Sequence, residues 1–143
     1  MKRSVRCDCS IISGENEFVI ELGLGNVVLL VLELSMLMMG LIKQLNIVFN
    51  SGDGLCFLLD ENLKAEDKAV VSQRDKCISI ALSRNQLEYI YTSLLRVYKE
   101  QIALVNHIHI ECSKDSEAYD LTLMFENVSE PLTPKEASKL IGD

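Results

Sequence analysis

Lys76-Cys77-Ile78-Ser79-Ile80-Ala81-Leu82-Ser83-Arg84-Asn85-Gln86-Leu87 contains a change of period that decides the fold class. From Lys76 to Leu82 apolar and polar residues alternate, the two-residue period of a strand with one buried face. Ser83-Arg84-Asn85-Gln86 then matches a capping box, in which the Ser83 hydroxyl and the Gln86 side chain satisfy each other's free backbone N–H groups. Leu87, Ile90, Tyr91, Leu94, Val97 and Tyr98 follow at spacings of three and four, which predicts an amphipathic helix to about Leu104. His107 to Cys112 returns to the strand period, Ser113 to Tyr119 is a polar turn, and Asp120 to Glu126 reads as a further strand. The unit from Lys76 to Cys112 is open to a parallel crossover, right-handed if so.

Working outward, Val5 to Ile11 and Phe18 to Leu22 alternate about Ser13-Gly14-Glu15-Asn16. This predicts an N-terminal hairpin with Cys7, Cys9, Phe18, Ile20 and Leu22 facing inward. Gly23 and Gly25 end it, and Asn26 can cap a helix from about Val27 to Leu45. The Val-rich start reads equally as a buried strand, with the helix beginning at Ser35, because nearly every position is apolar. Asn46 to Asn50 and Leu55 to Asp60 form a second hairpin through Ser51-Gly52-Asp53-Gly54. Glu61 to Lys68 is charged and reads as a surface loop or a single helical turn. Thr133-Pro134-Lys135-Glu136 is a second capping box, opening a short helix to Ile141. No internal repeat is legible. The expected fold class is α+β, a single domain over 1–143, with a mostly antiparallel sheet and helices packed on one face.

The bulk numbers narrow function by exclusion. The chain has 143 residues, 21 acidic against 14 basic, a net charge of −7, and 48% hydrophobic residues. It is too apolar for disorder and too acidic for a general nucleic-acid binder, and it lacks the Gly and Pro of a fibrous protein. Five cysteines, an odd number without a CxxC pair, and no apolar run in the first fifteen residues fit buried thiols in a reducing cytoplasm. Val27 to Ile42 is strongly apolar but short, with Glu33 at its centre, and reads as a core segment and not as a membrane span.

His107-Ile108-His109-Ile110-Glu111-Cys112 is the stretch richest in chemistry. Ile108 and Ile110 share the face of Ile78, Ile80 and Leu82, under the helix. His107, His109 and Glu111 share the other, beside Cys77, Ser79 and Ala81 and beside Thr122, Met124 and Glu126. Two imidazoles and a carboxylate at this spacing can converge on a divalent metal, given a further ligand from a neighbouring strand. The same residues are also ordinary on a half-exposed sheet face, and both readings stay open. Cys7-x-Cys9 lies on the apolar face, where a thiol packs as a small hydrophobe. No Gly-x-Ser-x-Gly elbow exists, and Gly23-Leu24-Gly25 lacks the third glycine and the lysine of a phosphate loop. The acidic excess clusters at Asp60, Glu61, Glu66 and Asp67; at Asp115, Glu117 and Asp120; and at Glu126 and Glu130. Such clusters keep a protein soluble and also steer a basic partner.

Leu82-Ser83, Gln86-Leu87, the amphipathic helix, Asn106-His107-Ile108-His109-Ile110-Glu111 and Asp120-Leu121-Thr122-Leu123 together resemble small bacterial immunity proteins, which bind and neutralise polymorphic or contact-dependent toxins. The resemblance covers about a third of the chain, residues 78–125. It implies a non-enzymatic cytoplasmic inhibitor that occludes a toxin domain, often a basic nuclease, and it assigns no interface residue. Charge nominates Asp115, Glu117, Asp120, Glu66 and Asp67 for a basic protein partner, with no nucleic-acid or membrane partner and no cofactor. Two alternatives stand beside this: a divalent-metal protein or small metalloenzyme built on His107, His109 and Glu111, and an oligomeric structural domain, such as a homodimer, that uses Val27–Ile42 as its interface.

Overall fold

The computed structural model describes residues 5–7, 11–14, 16–100 and 107–125. Among them the chain runs β1 (Val5–Cys7), β2 (Ile11–Gly14), β3 (Glu17–Leu22), α1 (Leu24–Met38), β4 (Gln44–Phe49), β5 (Gly54–Leu59), β6 (Ala69–Arg74), β7 (Cys77–Leu82), α2 (Arg84–Glu100), β8 (His107–Lys114) and β9 (Glu117–Phe125). The nine strands form one sheet in the order β1-β4-β5-β7-β6-β8-β9-β3-β2. β1 and β2 sit at opposite ends of that order, yet only residues 8–10 separate them in the chain. Four Cα steps reach about 14 Å, whereas nine flat strands would span about 38 Å, so the sheet must curl until its ends approach.

The class is α+β, but the sheet is not mostly antiparallel. β2–β3, β4–β5, β6–β7 and β8–β9 are antiparallel, whereas β1–β4, β5–β7, β6–β8 and β3–β9 are parallel. Hairpins are local and leave turn signals in the sequence. The parallel seams that join them are non-local and leave none. β6 also went unread, because Ala69-Val70-Val71 is a short apolar run that ends in polar residues. Its insertion between β7 and β8 removes the proposed crossover: β6 is antiparallel to β7 and parallel to β8, so β7 and β8 run in opposite directions.

β2 to β5 with α1, and β6 to β9 with α2, form two ββαββ units in tandem with β1 preceding them, a repeat of structure that the sequence hides. β3 and β7 bury the same alternate positions, Phe18, Ile20 and Leu22 against Ile78, Ile80 and Leu82. Val27, Leu30, Leu34 and Leu37 of α1 match Leu87, Ile90, Leu94 and Val97 of α2, all in the core. At each strand-to-helix corner a side chain in the first helical turn accepts a backbone hydrogen bond from the cap. Asn26 Oδ1 receives Gly23 N–H at 3.0 Å, and Gln86 Oε1 receives Ser83 N–H at 2.8 Å. The Ser83 hydroxyl completes its capping box by accepting Gln86 N–H at 3.2 Å. Gly23 is therefore the cap of α1, and Asn26, expected as the cap, lies one turn inside.

The first helix begins at Leu24 and stops at Met38, short of Leu45. Gly40 takes a positive φ of 78° and turns the chain into β4. The N-terminal pairing also differs from the expected hairpin. β2 pairs with β3, while β1 crosses to lie parallel to β4. Cys9, the side chain of Cys7, residues 101–106 and the C-terminal capping box lie outside the described residues. The inward residues of both units meet in one hydrophobic cluster. Among the described residues no helix is long and apolar enough to cross a membrane.

One shared cluster implies one cooperative transition. Leu34→Ala and Leu94→Ala, at equivalent buried positions, should each cost about 2–5 kcal/mol. Urea denaturation followed by circular dichroism should show a single transition in both variants. Two separate transitions would mean that the units fold independently.

Candidate functional site

The outward residues of β8 are His107, His109 and Glu111, all exposed, while Ile108, Ile110 and Cys112 are buried. Antiparallel pairing sets His107 against Met124, His109 against Thr122 and Glu111 against Asp120. Parallel pairing sets Asp120 against Glu17. Paired residues share a face, so Glu111, Asp120 and Glu17 form a row of carboxylates across three adjacent strands. Like charges directly opposite one another on a sheet are destabilising, so the two carboxylate pairs Glu111–Asp120 and Asp120–Glu17 do not favour the fold.

Glu66 and Asp67 approach one end of it. With Lys68, Gln86, Tyr89, His109 and Glu111 they line a cleft of about 240 Å³. The cleft opens because β6 and β8 pair only at Ala69 with Cys112 and Val70 with Ser113. Two carboxylates of the neighbouring loop have local duties. Asp67 Oδ2 accepts Lys64 N–H at 2.8 Å, and Glu61 pairs with Arg84 at 2.6 Å. Asp115 and Glu117 are exposed at the β8–β9 turn, where Asp115 and Ser116 have φ of 51° and 69°. The nearby Lys114 turns away from the row. Its Nζ donates to Gln73 Oε1 at 2.8 Å and lies 5.2 Å from the centre of the Tyr119 ring.

His109 is held between β8 and β9. Its Nε2 is 3.2 Å from Asp120 Oδ1, and its Nδ1 is 3.4 Å from Thr122 Oγ1. Carboxylate, imidazole and hydroxyl follow in the order of a nucleophile relay. This chain lies on an open sheet face, however, and Thr122 is not part of the cleft wall. The neighbours expected from β7 are not there: β6 stands between Cys77, Ser79, Ala81 and the histidine strand. Among the described residues no group of three or more His, Cys, Asp or Glu side chains is placed to hold a metal ion.

The row's field reaches through the sheet. Burial, then the charge of Asp120, pushes the Cys112 thiol from 9.0 up to about 12. Burial, then Glu17, raises Tyr119 above its ordinary value of 10.0. Cys56 and Cys112 are buried, but Cys77 is exposed, against the expectation of buried thiols throughout. Cys77 lies in the outward phase of β7 beside Gly54, which has no side chain to cover it.

The sequence nominates Asp120, Glu66 and Asp67 for a partner surface but does not nominate Glu17, which the sheet register places beside Asp120. The period of β3 marks Glu17 as outward, yet nothing in the sequence announces that β3 lies beside β9. No protein-family model matches the chain, and no curated protein matches it.

Neutralising the row should stabilise the fold. Glu111→Gln should raise stability by about 0.2–1 kcal/mol at low salt, and the gain should shrink as salt screens the wild-type repulsion. A loss of stability in urea melts at low salt would contradict the like-charge reading. Cys112 supplies a pH test. Above about pH 9 the unfolded thiol loses its proton and the native one keeps it, so stability falls as pH rises towards 12. The slope is at most about 1.4 kcal/mol per pH unit. Cys112→Ala should be less stable at pH 8 but should lose less between pH 9 and 10.5.

Proposed function

We propose that this protein is a non-catalytic binding protein of the immunity type, which occludes a basic toxin domain with its acidic sheet face. The observation that carries the reading is the in-register row Glu111, Asp120 and Glu17, extended by Glu66 and Asp67 at the cleft. Repulsion within the row opposes folding, and a cationic partner relieves it on binding. A net charge of −7 adds long-range steering towards such a partner. Asp115 and Glu117 stand at the rim of the same hairpin and belong to the outer part of this surface.

The test is co-expression with the product of the neighbouring reading frame, followed by binding kinetics. The wild-type protein should restore growth against that product and bind it with a rate that falls steeply with salt. Glu17→Gln, Glu111→Gln and Asp120→Asn combined should slow association by about tenfold or more. A non-toxic neighbour, or a triple variant that associates at the wild-type rate, would remove the basis for the proposal.

A further inference from the structure

The two ββαββ units provide an internal control for helix surfaces. Val28, Leu29 and Leu32 of α1 occupy the positions that Glu88, Tyr89 and Thr92 occupy in α2, and all six are exposed. Leu32 is 55% exposed, and Met39 and Leu41 beyond the helix end are 70% and 66% exposed. The fold therefore accepts polar and charged residues at these positions, and the core does not explain why α1 is apolar there.

We infer that the outward face of α1 is a self-association surface, on which a second copy of this chain docks helix against helix about a twofold axis. Two observations select this occupant. The first is shape. The Leu29–Leu32 ridge borders a groove of about 400 Å³ between the helices, which Ser35, Tyr91 and Tyr98 also line. A ridge beside a groove of the same chemistry is self-complementary under twofold rotation, as an isologous contact requires. Ser35 does not obstruct it: its hydroxyl is small and is already bonded to the Leu32 carbonyl at 2.7 Å. The second is charge. Two chains of −7 each repel, and they meet at least cost where neither presents a charge. The one ionisable residue of α1, Glu33, is buried. A basic partner finds no exposed carboxylate to engage on this helix, whereas a second copy finds a matching apolar patch of Val28, Leu29 and Leu32.

The surface is distinct from the acidic row, and the experiment keeps the two apart. Sedimentation equilibrium is run from about 1 μM to about 1 mM on the wild type, on Val28→Glu/Leu32→Thr and on Asp120→Asn. The double variant carries the residues that α2 has at the equivalent positions. The wild type should pass from monomer to dimer. The double variant should dimerise at least about tenfold more weakly, with its thermal unfolding in dilute solution unchanged, and Asp120→Asn should dimerise like the wild type. A wild type that is monomeric throughout overturns the inference, as does a dimer that the folded double variant leaves intact. Should the double variant misfold, amide exchange of the wild type decides. Residues 28–36 should exchange more slowly as protein concentration rises, and concentration-independent exchange overturns the inference.

Discussion

At two corners of this molecule a buried strand turns into a helix, and at each a side chain of the first helical turn ties down the cap N–H. Gly23 N–H to Asn26 and Ser83 N–H to Gln86 tie the cap to the first helical turn. Beside them Leu22 and Leu82 are fully buried, and Val27 and Leu87 begin the buried stripes of α1 and α2. The corner therefore decides which face of each helix meets the sheet. The burial of every strand's inward residues and the packing of the two helices against one another depend on that choice. Without the tie, the cap N–H would be an unsatisfied donor at a half-buried or buried position, and the helix start would lose its register.

The corner at Ser83 was legible in the sequence because its partners are polar, three residues apart and flanked by unlike periods. The corner at Gly23 was not. Glycine has no cap side chain to read, and the apolar run behind it shows no period. The four hairpins differ in the same way. Ser51-Gly52-Asp53-Gly54 announced one of them, whereas the apolar run of β6 ends at Val71 and its last three residues are polar on both faces. The alternation of His107 to Cys112 correctly separated an exposed face from a buried one. It could not say which strands would lie beside that face, because parallel neighbours are fixed by the whole sheet. Glu17 was missed for that reason, and Cys77, Ser79 and Ala81 were wrongly placed beside the histidines.

The two halves share a frame and carry different chemistry on it. Backbone bonds at equivalent points, Gly54 N–H to the Lys76 carbonyl at 2.8 Å and Asp120 N–H to the Asn16 carbonyl at 3.0 Å, show how closely the frames agree. One seam then presents Glu17 and Asp120, and the other presents Cys77 and Gly54. One helix exposes valine and leucine where the other exposes glutamate and threonine. Burial fixed the inward residues of both halves to the same types. The outward residues were free to differ, and the surface features that distinguish this protein lie among them.

The ends of the sheet have a consequence of their own. Among the described residues its edge strands, β1 and β2, have three and four residues, and they follow one another in the chain. A long bare edge invites a strand from another molecule, in recognition as in fibre growth. Here the sheet's two open ladders are short and are drawn towards each other by chain continuity. That limits runaway strand pairing despite the apolar composition. It also limits how this protein can recognise anything: contacts made by backbone extension have little to hold, and specificity has to be written in side chains on the sheet face and the helices.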